Sequence, residues 1–128
     1  MTARVASPSV TITEAQLQDT IVSAARKLGY LVFHDHDSRR SETGFPDLVI
    51  VGHSRVIVFE CKTAKGKLRP ATINRKGRFL PSQEDWLWEF ARAGVEAGVI
   101  RPNDLDEALE LLNQWRDEAL NREERRTA

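Results

Sequence analysis

The chain has 128 residues, 41% of them hydrophobic, with 19 basic and 19 acidic side chains and a formal net charge of zero. This length fits one domain with a single hydrophobic core, and the composition is that of an ordinary globular protein. A neutral total excludes a uniformly basic nucleic-acid-binding protein, although a basic segment can still lie within the chain.

The single cysteine, Cys61, lies in an apolar segment, which excludes a disulfide framework and predicts a reducing compartment. We interpret it as a small core residue. No apolar run is long enough to span a membrane, and the first residues lack a signal-peptide pattern. These features predict an intracellular, cytoplasmic protein without membrane contact.

The order of the segments predicts one folded unit. Residues 1–10 are small and polar and contain proline, which predicts a disordered terminus. Residues 11–118 carry the periodic apolar patterns of a single domain, and residues 119–128 form a charged tail. There is no internal repeat.

The first predicted helix begins after Thr13, which forms a capping box with Gln16, and ends at Gly29. Its apolar face consists of Leu17, Ile21, Ala24 and Leu28. Glu14 lies near this buried face. It is either a first-turn glutamate favoured by the helix dipole or a third carboxylate of a metal site.

A short strand is predicted at Tyr30–Phe33, followed by a polar loop to Gly44. The loop contains His34 and His36, whose spacing suggests zinc, but no further cysteine or histidine lies nearby at ligand spacing. We therefore interpret both histidines as polar loop residues. Arg39 and Arg40 either contact DNA or are solvated.

Two apolar runs, Phe45–Ile50 and Val56–Lys62, predict buried strands that are joined by a turn at Gly52–Arg55. Asp47 begins one strand, and Glu60 ends the other together with Lys62. Burying charges in apolar strands is costly unless something pairs with them.

Side chains alternate along a strand, so Glu60 and Lys62 point to one face and Cys61 to the other. Asp47 can lie beside Glu60. Two carboxylates and a strand-end carbonyl, that of Cys61, form a hard oxygen site suited to Mg²⁺ or Mn²⁺. A neighbouring lysine can stabilise developing negative charge or orient a water. The pattern predicts metal-assisted phosphodiester hydrolysis.

Seven basic residues and no acidic one lie between Lys62 and Arg78. This segment has no clear period, so we predict a loop without regular strands or helices. It is either a solvated loop or a phosphate-contacting one, and its position next to the carboxylates favours phosphate contacts by Lys65, Lys67 and Arg69.

A second helix is predicted from Ser82, its cap, to Gly94. The spacing of Gln83, Leu87 and Phe90 places the Gln83 amide on the inward face, where it needs a hydrogen-bond partner. Trp86 and Trp88 are two positions apart, so one of them is free for a subunit interface or a DNA groove.

A strand at Val95–Ile100 follows, and the strand–helix–strand order predicts that it runs parallel to the Glu60 strand. Asp104 is predicted to cap a last helix, whose apolar face ends at Trp115. The predicted fold is therefore α/β, with a central mixed sheet of about four strands flanked by helices in the order αβββαβα.

These motifs resemble a known group of nucleases. Pro46-Asp47, then twelve residues, then Glu60-Cys61-Lys62 resembles the PD-(D/E)XK signature. The surrounding sequence from about Thr13 to Ile100 resembles the VRR-NUC (virus-type replication-repair nuclease) family in Gly44-Phe45-Pro46-Asp47-Leu48, Phe59-Glu60-Cys61-Lys62-Thr63, Leu80-Pro81-Ser82-Gln83 and Trp86. The segment from Lys65 to Phe79 departs from it by its length.

The resemblance implies a nuclease-like fold and a Mg²⁺- or Mn²⁺-dependent DNA endonuclease acting on branched DNA such as four-way junctions. Asp47, Glu60, Glu14 and the Cys61 carbonyl would hold the metal, Lys62 would assist the attacking water, and Gln83 would position that water or Lys62. Two alternatives stay open: a catalytically silent DNA-binding or scaffold module, and an RNA-directed nuclease.

The resemblance also implies a homodimer, because small free-standing members of this group form dimers. A two-fold dimer would place two sites on opposing strands of a junction. Trp86, Trp88 and Trp115 supply apolar material for such an interface. A phage origin, with action in the bacterial host cytoplasm, is left open.

Overall fold

The computed structural model describes residues 11–35 and 42–127. Three helices and six strands follow one another as α1 (Glu14–Lys27), β1 (Leu31–His34), β2 (Leu48–Gly52), β3 (Arg55–Cys61), β4 (Thr72–Ile73), β5 (Phe79–Leu80), α2 (Gln83–Arg92), β6 (Glu96–Ile100) and α3 (Leu105–Thr127). None of the helices within these ranges combines the length and apolar character needed to cross a bilayer.

The central sheet has four strands in the order β1-β2-β3-β6. Strands β1 to β3 pair antiparallel, and β6 pairs parallel to β3, with Glu60 opposite Val99. The predicted α/β fold with a four-stranded mixed sheet, including its parallel last strand, is confirmed. The predicted disordered terminus, residues 1–10, and the last residue of the predicted charged tail, residue 128, lie outside the described ranges.

The β2–β3 hairpin closes through a two-residue loop, as predicted, with Gly52 paired to Arg55. Both loop residues, His53 and Ser54, have positive φ angles of 50° and 66°, which a tight hairpin of this hand requires. Because neither is glycine, the turn needs support from outside the hairpin. The His53 imidazole supplies it by donating to the Leu28 carbonyl oxygen over 2.7 Å.

One face of the sheet packs against α1 and α3 and forms the main core. Its buried residues are Leu17, Ile21, Val22, Ala25, Tyr30, Leu48, Ile50, Ile57, Phe59, Cys61, Ile100, Ala108, Leu112 and Trp115. The Tyr30 hydroxyl donates to the Leu112 carbonyl over 2.6 Å and ties the end of α1 to α3. Helix α2 packs against β3 and β6. Strand alternation therefore puts Val58 and Glu60 under α2.

The segment 65–79, which we predicted to lack regular strands, contains a second, two-stranded sheet in which β4 and β5 pair antiparallel. The Asn74 side-chain oxygen accepts from the N–H groups of Lys76 and Arg78 and closes the turn, with Gly77 at φ 79°. An asparagine that bonds the backbone two residues on is a recognised turn former, so a local signal was present in the sequence.

Two predictions at the end of the chain need correction. Asp104 does not cap α3 but lies in a short 3-10 helix, where its carboxylate accepts from the Arg101 N–H over 2.9 Å. Trp115 does not offer a surface for an interface, because it is buried in the core with the Arg55 guanidinium 4.8 Å from its ring centroid. Helix α3 continues through residues 119–127, and Ala119 is buried.

Candidate active site

Three charged side chains meet where β2 begins and β3 ends. These two strands are antiparallel and pair Leu48 with Phe59, so Asp47 just before β2 comes beside Glu60 near the end of β3. The Asp47 Oδ2 atom accepts from the Cys61 N–H over 2.9 Å. Lys62 directly follows β3, and its Nζ lies 3.6 Å from Oε2 of Glu60.

Glu60 is the buried charged residue of the described core, with 2% of its surface exposed. Its Oε2 accepts a hydrogen bond of 2.6 Å from the Gln83 amide, whereas its buried Oε1 has no hydrogen-bond partner. Burial, and then the neighbouring negative charge of Asp47, raise the pKa of Glu60 to about 8, against the attraction of Lys62. In this arrangement one carboxylate oxygen needs a cation or a proton.

The second carboxylate of the site, that of Asp47, also has a raised pKa. Burial raises the pKa of Asp47, while the hydrogen bond from Cys61, the Gln18 side chain and the positive charge of Lys62 lower it. Two carboxylates so close together resist simultaneous ionisation, because each disfavours the charge of the other. A bound cation would remove that conflict.

Gln83 reaches the site from the start of α2. Ser82 caps this helix through a reciprocal pair of hydrogen bonds with Asp85, which fixes its first turn. Both polar atoms of the Gln83 amide form hydrogen bonds: its Nε2 donates to Glu60, and its Oε1 accepts from the Arg69 N–H over 2.7 Å. Its orientation toward the inside is the one that the helical spacing predicted, and its partner is Glu60.

Gln18 is a site neighbour that the sequence reasoning missed. It lies on α1 one turn after Glu14, and its Oε1 is 2.7 Å from the His34 Nε2, while its side chain also bonds Asp47. The negative charge of Glu14 acts on Glu60 from the same helix. Residues four apart share a helix face, so the placement of Glu14 could have identified Gln18.

The predicted DNA-binding residues are placed in part. Lys65, Lys67 and Arg69 are exposed on the segment that follows β3. This segment is anchored at both ends: the Arg101 guanidinium donates to the carbonyls of Thr63 and Gly66, both over 2.7 Å, and Arg69 is held by Gln83. Arg39, Arg40 and His36 lie outside the described residues.

An open groove of about 340 Å³ runs along the site and contains both Asp47 and Gln83. Arg69 and residues 42–45 also line it. Residues 42–45 approach the start of α2 closely: a Cβ on Gly44, which has φ +84°, would stand 3.0 Å from the Pro81 and Ser82 carbonyl oxygens. Glycine is therefore needed at this position to form the groove.

The cysteine belongs to the core and not to the reactive surface. Cys61 is fully buried, and burial raises the pKa of its thiol well above its usual range. Its N–H bonds Asp47, and in an extended strand the carbonyl of the same residue leaves the backbone on the same side. The backbone of Cys61, and not its sulfur, faces the site.

Within residues 11–35 and 42–127, no three His, Cys, Asp or Glu side chains are grouped closely enough to form a metal cluster by themselves. The donors that are present nevertheless fit a hard divalent cation. They are the partnerless Oε1 of Glu60, the carboxylate of Asp47 and the strand-end carbonyl. Glu14 would have to move closer to join them.

Of the three tryptophans, Trp88 stays most exposed, at 63%. Trp86 is half-buried, its ring 5.1 Å from that of Phe45 in an edge-to-face contact, and its Nε1–H donates to the Thr43 carbonyl over 2.8 Å. Trp88 is therefore the tryptophan of this pair that the core leaves free, and its role at an interface or a DNA groove stays a prediction.

No family model matches the sequence, and none of the curated proteins compared with it matches. Among solved structures, Hjc from Archaeoglobus fulgidus, a Holliday junction resolvase from an archaeal hyperthermophile, is similar with a TM-score of 0.40 and 22% identity. The similar part covers 67% of this chain and 65% of the resolvase, so it spans less than two thirds of that protein.

Proposed function

We propose that this protein is a metal-dependent DNA endonuclease of the VRR-NUC type, within the PD-(D/E)XK superfamily, that hydrolyses phosphodiester bonds in branched DNA such as four-way junctions. The observation that carries the proposal is the buried Glu60, with one partnerless oxygen, beside Asp47 and Lys62 at an open groove. A buried carboxylate oxygen without a hydrogen-bond partner destabilises the folded protein, which favours a functional role for it.

The cation would be Mg²⁺ or Mn²⁺, because the donors are oxygens and include two carboxylates. Asp47, Glu60 and the Cys61 carbonyl would hold it, with Glu14 as a further ligand. When bound, the cation activates a water and polarises a phosphate oxygen. Asp47 stays aligned because its other contacts, the Cys61 N–H and Gln18, already fix its orientation.

Two further residues act on the substrate and on the site. Lys62 is only 12% exposed and lies next to Glu60, so its ammonium can stabilise the negative charge that develops on the phosphate. Gln83 is a positioning residue: it holds Glu60 in place and at the same time ties the basic segment to the site. DNA bound to that segment would thus be connected, through Gln83, to the Glu60 carboxylate.

DNA would be bound through its phosphates. Lys65, Lys67 and Arg69 are exposed on the segment next to the groove, and Arg39 and Arg40, which lie outside the described residues, are the further phosphate contacts of the proposal. The net charge of the chain is zero, so this local cluster would supply the attraction. Phosphate contacts without base contacts select a substrate by its shape.

A homodimer fits the surface of the sheet. The half of the second face that α2 leaves uncovered is apolar and exposed at Leu31 (76%), Phe33 (56%), Val51 (40%) and Val56 (41%). Cross-strand pairing of Leu31 with Val51, and of Val51 with Val56, makes these side chains one patch, which we call the sheet patch. A second copy, with its own sheet patch, would cover it in a two-fold dimer.

A substrate panel tests the proposal directly. Single-stranded, duplex, flap, splayed-arm and four-way-junction DNA, with the RNA equivalents, would be incubated with Mg²⁺ or Mn²⁺. We expect cleavage of branched DNA by the wild type and none by Glu60→Gln, which keeps the shape of the side chain. Binding of every substrate without cleavage would indicate a silent module instead, and preferential cutting of RNA would indicate an RNA nuclease.

A further inference from the structure

The segment that departs from the family pattern forms a hairpin, residues 72–80, with an unusual surface. Ile73 and Phe79 are 70% and 59% exposed, and they are direct cross-strand partners, so their side chains stand on the same face. Two-residue strands cannot bury such groups within the hairpin. A large apolar pair exposed in this way needs an external partner.

The tip of the same hairpin is basic. Arg75, Lys76 and Arg78 are exposed there. Arg78 lies 3.6 Å from the Glu42 carboxylate in a pair that is itself solvent-exposed. Exposed pairs of this kind contribute little stability. The tip therefore presents cationic groups to a polyanion, directly beside the apolar pair.

An open, mainly apolar groove of about 430 Å³ separates the hairpin from α2, lined by Phe79, Pro81, Asp85, Trp86 and Glu89. Trp86 forms a preorganised wall, because the Thr43 carbonyl and the Phe45 ring already fix its indole. The two acidic residues on the rim would repel a phosphate. The groove itself thus suits a flat, uncharged group that is attached to a phosphate chain.

We propose that this groove binds an unpaired nucleobase of the DNA substrate, which stacks on Phe79 and Trp86 while the hairpin tip contacts the flanking phosphates. Base–aromatic stacking beside a cationic track is how proteins bind unpaired nucleotides. The carboxylates of Asp85 and Glu89 accept hydrogen bonds from base amino groups and discourage phosphate entry. Charge complementarity and ring geometry together select this ligand.

Along the chain, the residues that line this groove adjoin those of the active site. Phe79 and Pro81 lead directly into Ser82 and Gln83, and Gln83 bonds Glu60 over 2.6 Å. A base held between the hairpin and α2 would therefore fix which phosphate reaches Glu60. This inference rests on the proposed nuclease function and names the feature of branched DNA that the enzyme would recognise: an unstacked base next to the branch.

The test compares two flap substrates that differ in one unpaired nucleotide beside the branch, which carries either a base or an abasic site. Affinity would be measured by fluorescence anisotropy in Ca²⁺, and cleavage separately in Mg²⁺. We expect the wild type to bind the abasic substrate about tenfold more weakly, within the range of a single base–aromatic stack. Phe79→Ala should bind both substrates equally and weakly, and Phe79→Tyr should restore the difference.

Trp88→Ala is the matched control, because Trp88 is an equally exposed aromatic residue, at 63%, that does not line the groove. It should keep the wild-type difference between the substrates. Equal wild-type affinity for both substrates, with branched DNA still cleaved, would overturn this inference and leave the nuclease proposal intact. Absence of any DNA binding or cleavage by the wild type would overturn both.

Discussion

The Gln83 amide donates to Oε2 of Glu60 over 2.6 Å, although the two residues are 23 positions apart. The same amide accepts from the Arg69 N–H, so one side chain joins the buried carboxylate to the basic segment. Because Gln83 is the first residue of α2, its position depends on the cap of that helix. The site therefore depends on contacts between three parts of the chain: the end of β3, the basic segment after it and the first turn of α2.

Gln83→Ala should reduce cleavage strongly, by about 10- to 100-fold, which is the usual cost of removing an orienting partner of a metal ligand. It should also leave Oε2 of Glu60 with Lys62 alone. Gln114→Ala is the control, because Gln114 is an exposed glutamine of α3. Single-turnover cleavage rates measure the effect. Wild-type rates in Gln83→Ala would show that the hydrogen bond has no role in positioning.

The pKa of Glu60, raised from 4.5 to about 8, predicts how stability depends on pH in metal-free buffer. Between these values the folded protein binds more protons than the unfolded chain, so the free energy of unfolding falls as the pH rises. The contribution is complete below pH 4.5 and lost above about pH 8. Since a tenfold change in proton affinity corresponds to about 1.4 kcal/mol, the total is on the order of a few kcal/mol.

Urea denaturation across this window should therefore show a flatter pH dependence in Glu60→Gln than in the wild type. The variant should be the more stable protein at alkaline pH, because it lacks the buried charge. Glu84→Gln, at an exposed glutamate, should follow the wild type. Parallel curves for the wild type and Glu60→Gln would contradict a raised pKa at Glu60.

Mg²⁺ or Mn²⁺ should raise the melting temperature, because the cation binds only the folded carboxylate pair. At one hundred times its dissociation constant the cation adds about 2.7 kcal/mol to the free energy of unfolding. Glu60→Gln should lose this shift, and Glu14→Gln should keep part of it if Glu14 is an outer ligand. Ca²⁺ should support DNA binding without cleavage, because its looser coordination positions water poorly. A wild-type melting temperature that does not change in millimolar Mg²⁺ or Mn²⁺ would refute the metal site.

Replacing Lys65, Lys67 and Arg69 together by glutamine should weaken DNA binding and flatten its salt dependence. Each lost phosphate contact removes about 0.9 from the slope of log K against log salt, so three contacts remove roughly 2.7. The control removes the same charge from the end of α3, at Arg122, Arg125 and Arg126. If the two triple variants have the same slope, the segment is merely solvated.

Leu31→Asp should convert a dimer into a monomer, because it puts a charge at the most exposed residue of the sheet patch. Leu31 is 76% exposed, so the fold of each subunit should survive. Sedimentation equilibrium at tens of micromolar protein measures the mass, and Leu120→Asp serves as the matched control, because Leu120 is 45% exposed on α3, which packs on the other face of the sheet. A monomeric wild type would refute the dimer. In a dimer, mixing wild type with Glu60→Ala should yield single nicks in place of paired cuts.

Features that depend on residues close together in the chain could be predicted from the sequence. Alternation along a strand put Glu60 and Lys62 on one face and Cys61 in the core, because successive side chains of an extended backbone point in opposite directions. Helical spacing turned Gln83 inward, and the capping box marked the start of α1. Such rules depend only on backbone geometry, so they hold without knowledge of distant neighbours. The parallel last strand of the four-stranded sheet followed from another rule, the preference of a strand–helix–strand unit for a parallel crossover.

The tertiary structure alone decided which distant groups meet. Helical spacing could place Gln18 on the same face as Glu14. However, Gln18 and His34 approach Asp47 because α1 crosses the sheet at that point, and no spacing in the sequence encodes the crossing. Trp115 and Trp88 are both tryptophans, yet Trp88 is exposed and Trp115 is buried. The difference arises because α3 places Trp115 against Arg55 and the core. The apolar sheet patch is exposed because α2 packs mainly against β6 and, to a smaller extent, against β3. Burial and pairing depend on where whole elements pack, and many different packings are compatible with the same local pattern.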